Sequence, residues 1–193
     1  MRVVAGEFRG RPLLTPADAR IRPTADRVRQ TVFDILAHAY GDAVSGARVL
    51  DLFAGTGALG IEALSRGAAS VLFVEEGAEA RGLIRGNVEA FGLTGRTRIF
   101  RRDATNLGPT GTVAPFTLVF ADPPYGKGLG ERALASALAG GWLKLAAVVV
   151  MEEDVAATIQ PVDGLEIKET RRIGDTQIAF MRLASLAAAA PGP

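Results

Sequence analysis

Cysteine is absent from this chain, and histidine occurs once, at position 38. Without thiols there can be no disulfide and no thiolate metal site, and a reducing compartment is the natural expectation. A single imidazole cannot furnish the usual ligand set of a zinc centre, so no metal is expected. His38 falls near the end of an expected helix, where a surface or packing role suits it. Long apolar runs are also missing. The longest strongly apolar stretch, "LAAVVVM" at 145–151, is far shorter than the roughly 20 residues a membrane helix needs. Glu7 and Arg9 interrupt "MRVVAGEFRG", so the opening residues do not read as a signal segment. These absences predict a soluble, cytoplasmic, monomeric protein with no membrane contact.

Lysine is scarce. Of the 22 basic residues, all but Lys127, Lys144 and Lys168 are arginine, the better fork for phosphate. A net charge of +1 hides an uneven distribution. Residues 1–30 hold seven arginines against Glu7, Asp18 and Asp26, a surplus of four, which leaves the remainder of the chain at −3. Codon bias could explain the preference for arginine, but it does not explain the clustering. A basic segment on a near-neutral body predicts a polyanionic partner. Arg9, Arg11, Arg22, Arg27 and Arg29 are the candidate phosphate contacts.

The 193 residues suit one well-buried domain, and 48% hydrophobic with 22% charged residues is ordinary for a globular protein. Residues 1–23, rich in Gly, Pro and Arg, predict a short hairpin or an extended basic arm. "PTADRVRQTVFDILAHAY" predicts a helix with Thr24 as its N-cap, Asp26 in the first turn and Val28, Val32, Ile35 and Leu36 on one face. From Ala47 onward, strand-like "ARVLDLFA", "SVLFVEE", "TRIFRRD", "FTLVFA" and "LAAVVVME" alternate with helix-like segments. These strands are Val/Leu/Phe-rich without polar alternation, as in a parallel sheet covered on both faces. "GLEIKETRRI" and "TQIAFMRL", joined by "GD", predict an antiparallel hairpin at the sheet edge. The expectation is an α/β Rossmann-like fold over 24–184. Its seven-stranded sheet is mostly parallel with the last strand reversed, and residues 185–193 form a frayed tail.

Within "DLFAGTGALG", Gly55, Gly57 and Gly60 form G-x-G-x-x-G between a strand and a helix, where glycine lets a ligand approach the backbone. Asp51 at the end of the first strand would repel a pyrophosphate but attract an ammonium group, such as that of S-adenosylmethionine. Glu75 ends the second strand, where a carboxylate can accept both ribose hydroxyls. Glu76 is its neighbour on the opposite face. Asp103 ends the third strand and could accept from an adenine amino group. Each acid alone could be a solvated strand end; three at successive strand ends beside a glycine turn point to one ligand.

"DPPY", residues 122–125, ends the fourth strand. An exocyclic amino group on a nucleobase is a poor nucleophile because its lone pair is delocalised into the ring. Two acceptors, the Asp122 carboxylate and the Pro123 carbonyl, can hold its hydrogens and turn that lone pair towards a methyl donor. Tyr125 offers a ring on which the base can stack.

The assembled set resembles the class I methyltransferases that use S-adenosylmethionine. More narrowly, it is similar to the 16S ribosomal RNA guanine-N2 methyltransferases of the RsmD type. The segments that carry this resemblance are "RVVAGEFRGRPL", "RPTADRVRQTVFDIL", "LDLFAGTGALGIEALSRGA", "VLFVEE", "RGNVEAFGL", "DPPY" and "GDTQIAF". It implies methyl transfer to the guanine conventionally numbered 966, in 16S rRNA of an assembled or nearly assembled small subunit. One departure is Gly77, where the family often has another acid. Adenine-N6 methyl transfer on DNA or RNA stays open, since "DPPY" serves both purine amines. So does a non-catalytic RNA-binding assembly factor with a relic cofactor pocket.

Overall fold

The computed structural model describes residues 1–17 and 23–184. In chain order the elements are α1 (Pro23–Ala39), β1 (Arg48–Leu52), α2 (Ala58–Ser65), β2 (Ser70–Val74), α3 (Ala78–Ala90) and β3 (Thr97–Phe100). They continue with β4 (Phe116–Ala121), α4 (Leu129–Ala139), β5 (Leu143–Asp154), β6 (Leu165–Ile173) and β7 (Thr176–Leu183). One sheet has the order β3-β2-β1-β4-β5-β7-β6. All pairings from β3 to β5 are parallel, and β7 runs antiparallel to both β5 and β6. The expected Rossmann-like sheet with its reversed last strand is therefore the observed one. The late hairpin turns at Gly174 and Asp175 and seats β7 inside the sheet, leaving β6 at the edge.

The period-two pleat sorts the strand side chains into two cores. Val49, Phe73, Leu118, Phe120, Val150 and Phe180 pack with residues of α1, α2 and α3 on one face. Leu50, Leu52, Val74, Val119, Ala121 and Met151 pack with Ala133, Leu134 and Ala137 of α4 and with Trp142 on the other. The strand order reverses at β1, between β2 and β4. Open α/β sheets bind ligands in the crevice beyond the carboxyl ends of the strands at that point.

Two expectations are corrected. The helix begins at Pro23, so Thr24 falls inside it, past the N-cap position expected for it; proline suits a first helical position because its missing N–H leaves nothing unpaired. The fifth strand reaches from Leu143 to Asp154. It starts before the apolar run, and inside it Ala146 takes a positive φ of 63° where the register with β4 shifts between Phe116 and Leu118.

Of the two forms expected for the basic segment, the structure shows one. Its opening residues do form a hairpin, with an Arg2–Pro12 bridge and bonds from Val3 N to Arg11 O and from Gly10 N to Val3 O. That hairpin is not an extended arm. Val3, Phe8 and Leu13 are buried in the main core. The fully buried Glu62 of α2 accepts from Val4 N (2.8 Å) and Ala5 N (3.0 Å), and Ser65 Oγ accepts from Phe8 N. Arg22 and the tail at 185–193 lie outside the described residues.

Candidate active site

β1 ends at Leu52 and the chain turns through residues 53–57 into α2. Gly55 and Gly57 take positive φ values of 56° and 78°, a region L side chains seldom enter. Phe53 enters it too, at φ 59°. That is a strained choice for a bulky residue and of the kind found at ligand sites. Gly60 serves packing: a Cβ there would lie 2.4 Å from a ring carbon of Phe73 and 2.7 Å from Val71 Cγ1.

Carboxylates set the shape of this loop. Asp51 is 1% exposed, and its Oδ2 accepts from Gly60 N at 3.0 Å. Burial pushes its carboxyl up to about 8; the Gly60 bond opposes the shift and the Glu75 charge adds to it. Glu75 takes Gly55 N on Oε2 (2.9 Å) and Gly77 N on Oε1 (2.7 Å). It thereby ties the glycine loop to the start of α3. A Cβ at Gly77 would come within 3.1 Å of Glu75 Oε1, so a larger residue there would require that carboxylate to shift slightly. Glu76 is exposed. Asp103 is exposed and its Oδ1 accepts from Thr105 N and Thr105 Oγ1, the bonds that hold its carboxyl below its ordinary value.

Two cavities open at this end of the sheet, with Phe53 in the wall of both. The larger, about 620 Å³, is lined by Glu75, Glu76, Gly77, Asp103, Pro124 and Arg132 among others. The smaller, about 160 Å³, is lined by Arg29, Asp51, Gly55, Thr56, Asp122 and Glu152 among others. The sequence reading placed Asp51, Gly55, Glu75, Asp103 and Asp122 at one end of the sheet, and the cavity walls bring them there; Gly57 turns in the same loop.

Asp122 follows β4, and its N–H reaches Leu52 O at 3.4 Å. The cross-strand register puts Leu52 level with Ala121, and Ala121 level with Met151. Asp51, Asp122 and Glu152 consequently project from neighbouring strands on the face that carries α1 and α2. The Asp122 side chain opens to solvent through the cavity mouth, yet protein crowds it from the remaining sides. That desolvation raises its pKa well above the usual carboxylate range, and Glu152, Asp51 and Glu153 raise it further. Glu152 is also raised by burial, against a lowering bond from Tyr125.

Hydrogen bonding separates these acids. Glu153 accepts from Gly126 N and Asp154 N, both at 2.8 Å, which anchors the loop after "DPPY". Tyr125, 39% exposed, donates its hydroxyl to Glu152 Oε1. Burial and that bond raise the phenol above its ordinary value. Among the described residues no group donates to the Asp122 carboxylate or to Glu152 Oε2, and the Pro123 carbonyl accepts no bond. Acceptors thus remain unused at the carboxyl end of β4, beside the glycine loop.

Arg29 is corrected as a phosphate contact. It is 4% exposed, donates to Arg2 O and Asp26 Oδ1, and lies 3.4 Å from Glu62 Oε2. Arg9 and Arg27 are exposed. Arg11 lies over Phe91, 4.2 Å from the ring centroid, and donates to Ala90 O at 2.6 Å. Sequence reasoning did not assign Glu152, Phe53 or Arg132 to this site. Among the described residues no cluster of three His, Asp or Glu could hold a metal ion, and no helix is long and apolar enough to cross a membrane.

A family model described as "Conserved hypothetical protein 95" matches residues 1–182. Ribosomal RNA small subunit methyltransferase D of Escherichia coli strain K12 is 40% identical over 157 residues, 80% of this chain and 75% of that protein. The chain belongs to this methyltransferase family. Its Haemophilus influenzae namesake is 31% identical over 156 residues, 80% of this chain and 79% of that protein. Among solved structures, yhhF from Escherichia coli superposes with a TM-score of 0.80 at 31% identity, covering 95% of this chain and 97% of that one.

Proposed function

We propose that this protein transfers a methyl group from S-adenosylmethionine to the exocyclic N2 of a guanine in 16S rRNA of the small ribosomal subunit. The observation that carries this reading is the pair of unused acceptors, the Asp122 carboxylate and the Pro123 carbonyl, beside the glycine loop and the Tyr125 ring. The names of its relatives, ribosomal RNA small subunit methyltransferases, support the substrate class.

The residues fit the methyl donor. In the walls of the smaller cavity, Arg29 is a cation suited to the carboxylate of an amino-acid moiety, and Asp51, which burial holds protonated, would ionise against the ammonium. Glu75, already oriented by two backbone donors, keeps acceptor capacity for ribose hydroxyls, and the larger cavity beside Asp103 has room for a base. When bound, this cosubstrate supplies an electrophilic methyl on a sulfonium. Asp122 and Pro123 would each take one N–H of the guanine amine, turn its lone pair out of conjugation and stabilise positive charge developing on nitrogen. Tyr125 would support the base by stacking. No strong base is required, because the amine proton becomes acidic once the methyl has moved.

Arg9, Arg11 and Arg27 are proposed to hold RNA phosphates without reading sequence. The test uses labelled S-adenosylmethionine with undermethylated small subunits, naked 16S rRNA and DNA, followed by nucleoside mass spectrometry. N2-methylguanosine from the ribosomal substrates is the expected product. N6-methyladenosine, or label confined to DNA, would assign the chain to the rival adenine chemistry.

A further inference from the structure

Resting on that reading, the structure also points to the group that chooses the base. Glu152 stands level with Asp122 on the neighbouring strand and lines the same cavity. The Tyr125 hydroxyl holds its Oε1, and among the described residues no donor reaches Oε2. The other acids here differ: Asp51, Glu75, Asp103 and Glu153 each accept from a backbone N–H. Asp122 and Glu152 are the pair left short of donors, side by side.

Two crowded carboxyl groups resist ionising together, and two adjacent donors on a planar ligand would let both act as ionised acceptors. In guanine the N2 amine is flanked by N1–H, a donor next to a donor. In adenine and cytosine the ring nitrogen beside the amine is a bare acceptor, whose lone pair would face the second carboxylate. We propose that Glu152 selects guanine by accepting its N1–H on Oε2 while Asp122 accepts from N2. The Tyr125 bond to Oε1 couples this reading of the base edge to the ring on which the base stacks. Glu152 is then a specificity-determining residue: it contacts the substrate and takes no part in moving the methyl group.

The test separates N1–H from the amine. Small subunits are reconstituted with guanine or 2-aminopurine at the methylated position; 2-aminopurine keeps the amine but presents a bare N1. Single-turnover rates are measured for the wild type and Glu152→Gln, with calorimetric affinity for S-adenosylmethionine as the check on folding. The wild type should methylate guanine about 10- to 100-fold faster than 2-aminopurine, the range one base-edge contact pair supplies. Glu152→Gln should slow the guanine reaction and bring the ratio close to one, because its amide can also donate to a bare N1. The variant should still bind the cosubstrate, which shows that it is folded. A wild type that forms N2-methylguanosine yet treats both bases alike overturns the assignment without touching the proposed activity, and that result does not depend on the variant folding. So does a folded variant that keeps the wild-type ratio. A wild type whose product is not N2-methylguanosine overturns the proposed activity, and this inference with it.

Discussion

Single residues carry most of the chemistry, and Asp51 shows how burial divides its duties. Its folded pKa, about 8, stands above the unfolded carboxylate value of roughly 3.9. The fold therefore prefers the protonated form. Stability from this group is complete below the unfolded value and is lost as pH rises towards 8. Asp51→Asn keeps an oxygen for Gly60 N but cannot ionise. Its melting temperature should gain on the wild type steadily between about pH 5 and pH 8, while its affinity for S-adenosylmethionine falls. A difference flat across that range would show that Asp51 is already ionised in the folded protein at pH 5. Glu75→Ala should cost about 1–3 kcal/mol of cosubstrate affinity, the scale for losing hydrogen bonds to a charged group; calorimetry showing no loss would move the ribose contact elsewhere. The strand-end acids were legible because an apolar run followed by a carboxylate marks a strand's carboxyl end. Glu152 was not, since its place beside Asp122 depends on a register that shifts between Phe116 and Leu118. The burial of Arg29 does have a signal in the sequence: it lies four residues before Phe33 and seven before Leu36, on their buried stripe.

Among the elements, the strand–loop–helix unit from β1 to α2 does the positioning, and Gly60 decides how closely it packs. Gly60→Ala would drive a methyl into Phe73 and Val71 and push α2 from the sheet. It would also disturb the Gly60 N–H that Asp51 accepts. Overpacking of this kind typically costs about 1–3 kcal/mol. Denaturant unfolding should show that loss with an unchanged slope, together with weaker cosubstrate binding. Full stability in the variant would mean that the Phe73 ring can yield. At this scale the sequence was informative: six of the seven strands fall within segments read from periodicity and turn residues, and β5 overruns its segment by two residues at each end. Boundaries suffered at Pro23 and in β5, the strand that holds the positive φ of Ala146.

For the whole molecule, charge distribution predicts how RNA is held. The hairpin is locked to α2 through Glu62, so its arginines ride on a fixed surface. Hydrophobic Val3, Phe8 and Leu13 were the residues that could have revealed that docking, but their spacing fits neither a helix nor a strand. With Arg29 buried and Arg11 stacked on Phe91, Arg9 and Arg27 become the better pair to neutralise. Arg9→Gln with Arg27→Gln should weaken RNA binding and make the log–log salt dependence shallower, by roughly 0.7–0.9 for each phosphate that is no longer neutralised. Affinity for S-adenosylmethionine should stay the same; an unaltered salt slope would place the RNA surface elsewhere.

The central claim, that Asp122 holds a guanine amine for methyl transfer, is tested most directly by single turnover on undermethylated small subunits. Wild type and Asp122→Ala are compared at saturating S-adenosylmethionine, and the digested RNA is read by mass spectrometry. The account predicts N2-methylguanosine at a single position with the wild type. With Asp122→Ala it predicts essentially none, although the variant binds the cosubstrate as the wild type does. Asp122→Ala forming that nucleoside at a rate within tenfold of the wild type, or a wild type that yields only another methylated nucleoside, would contradict it.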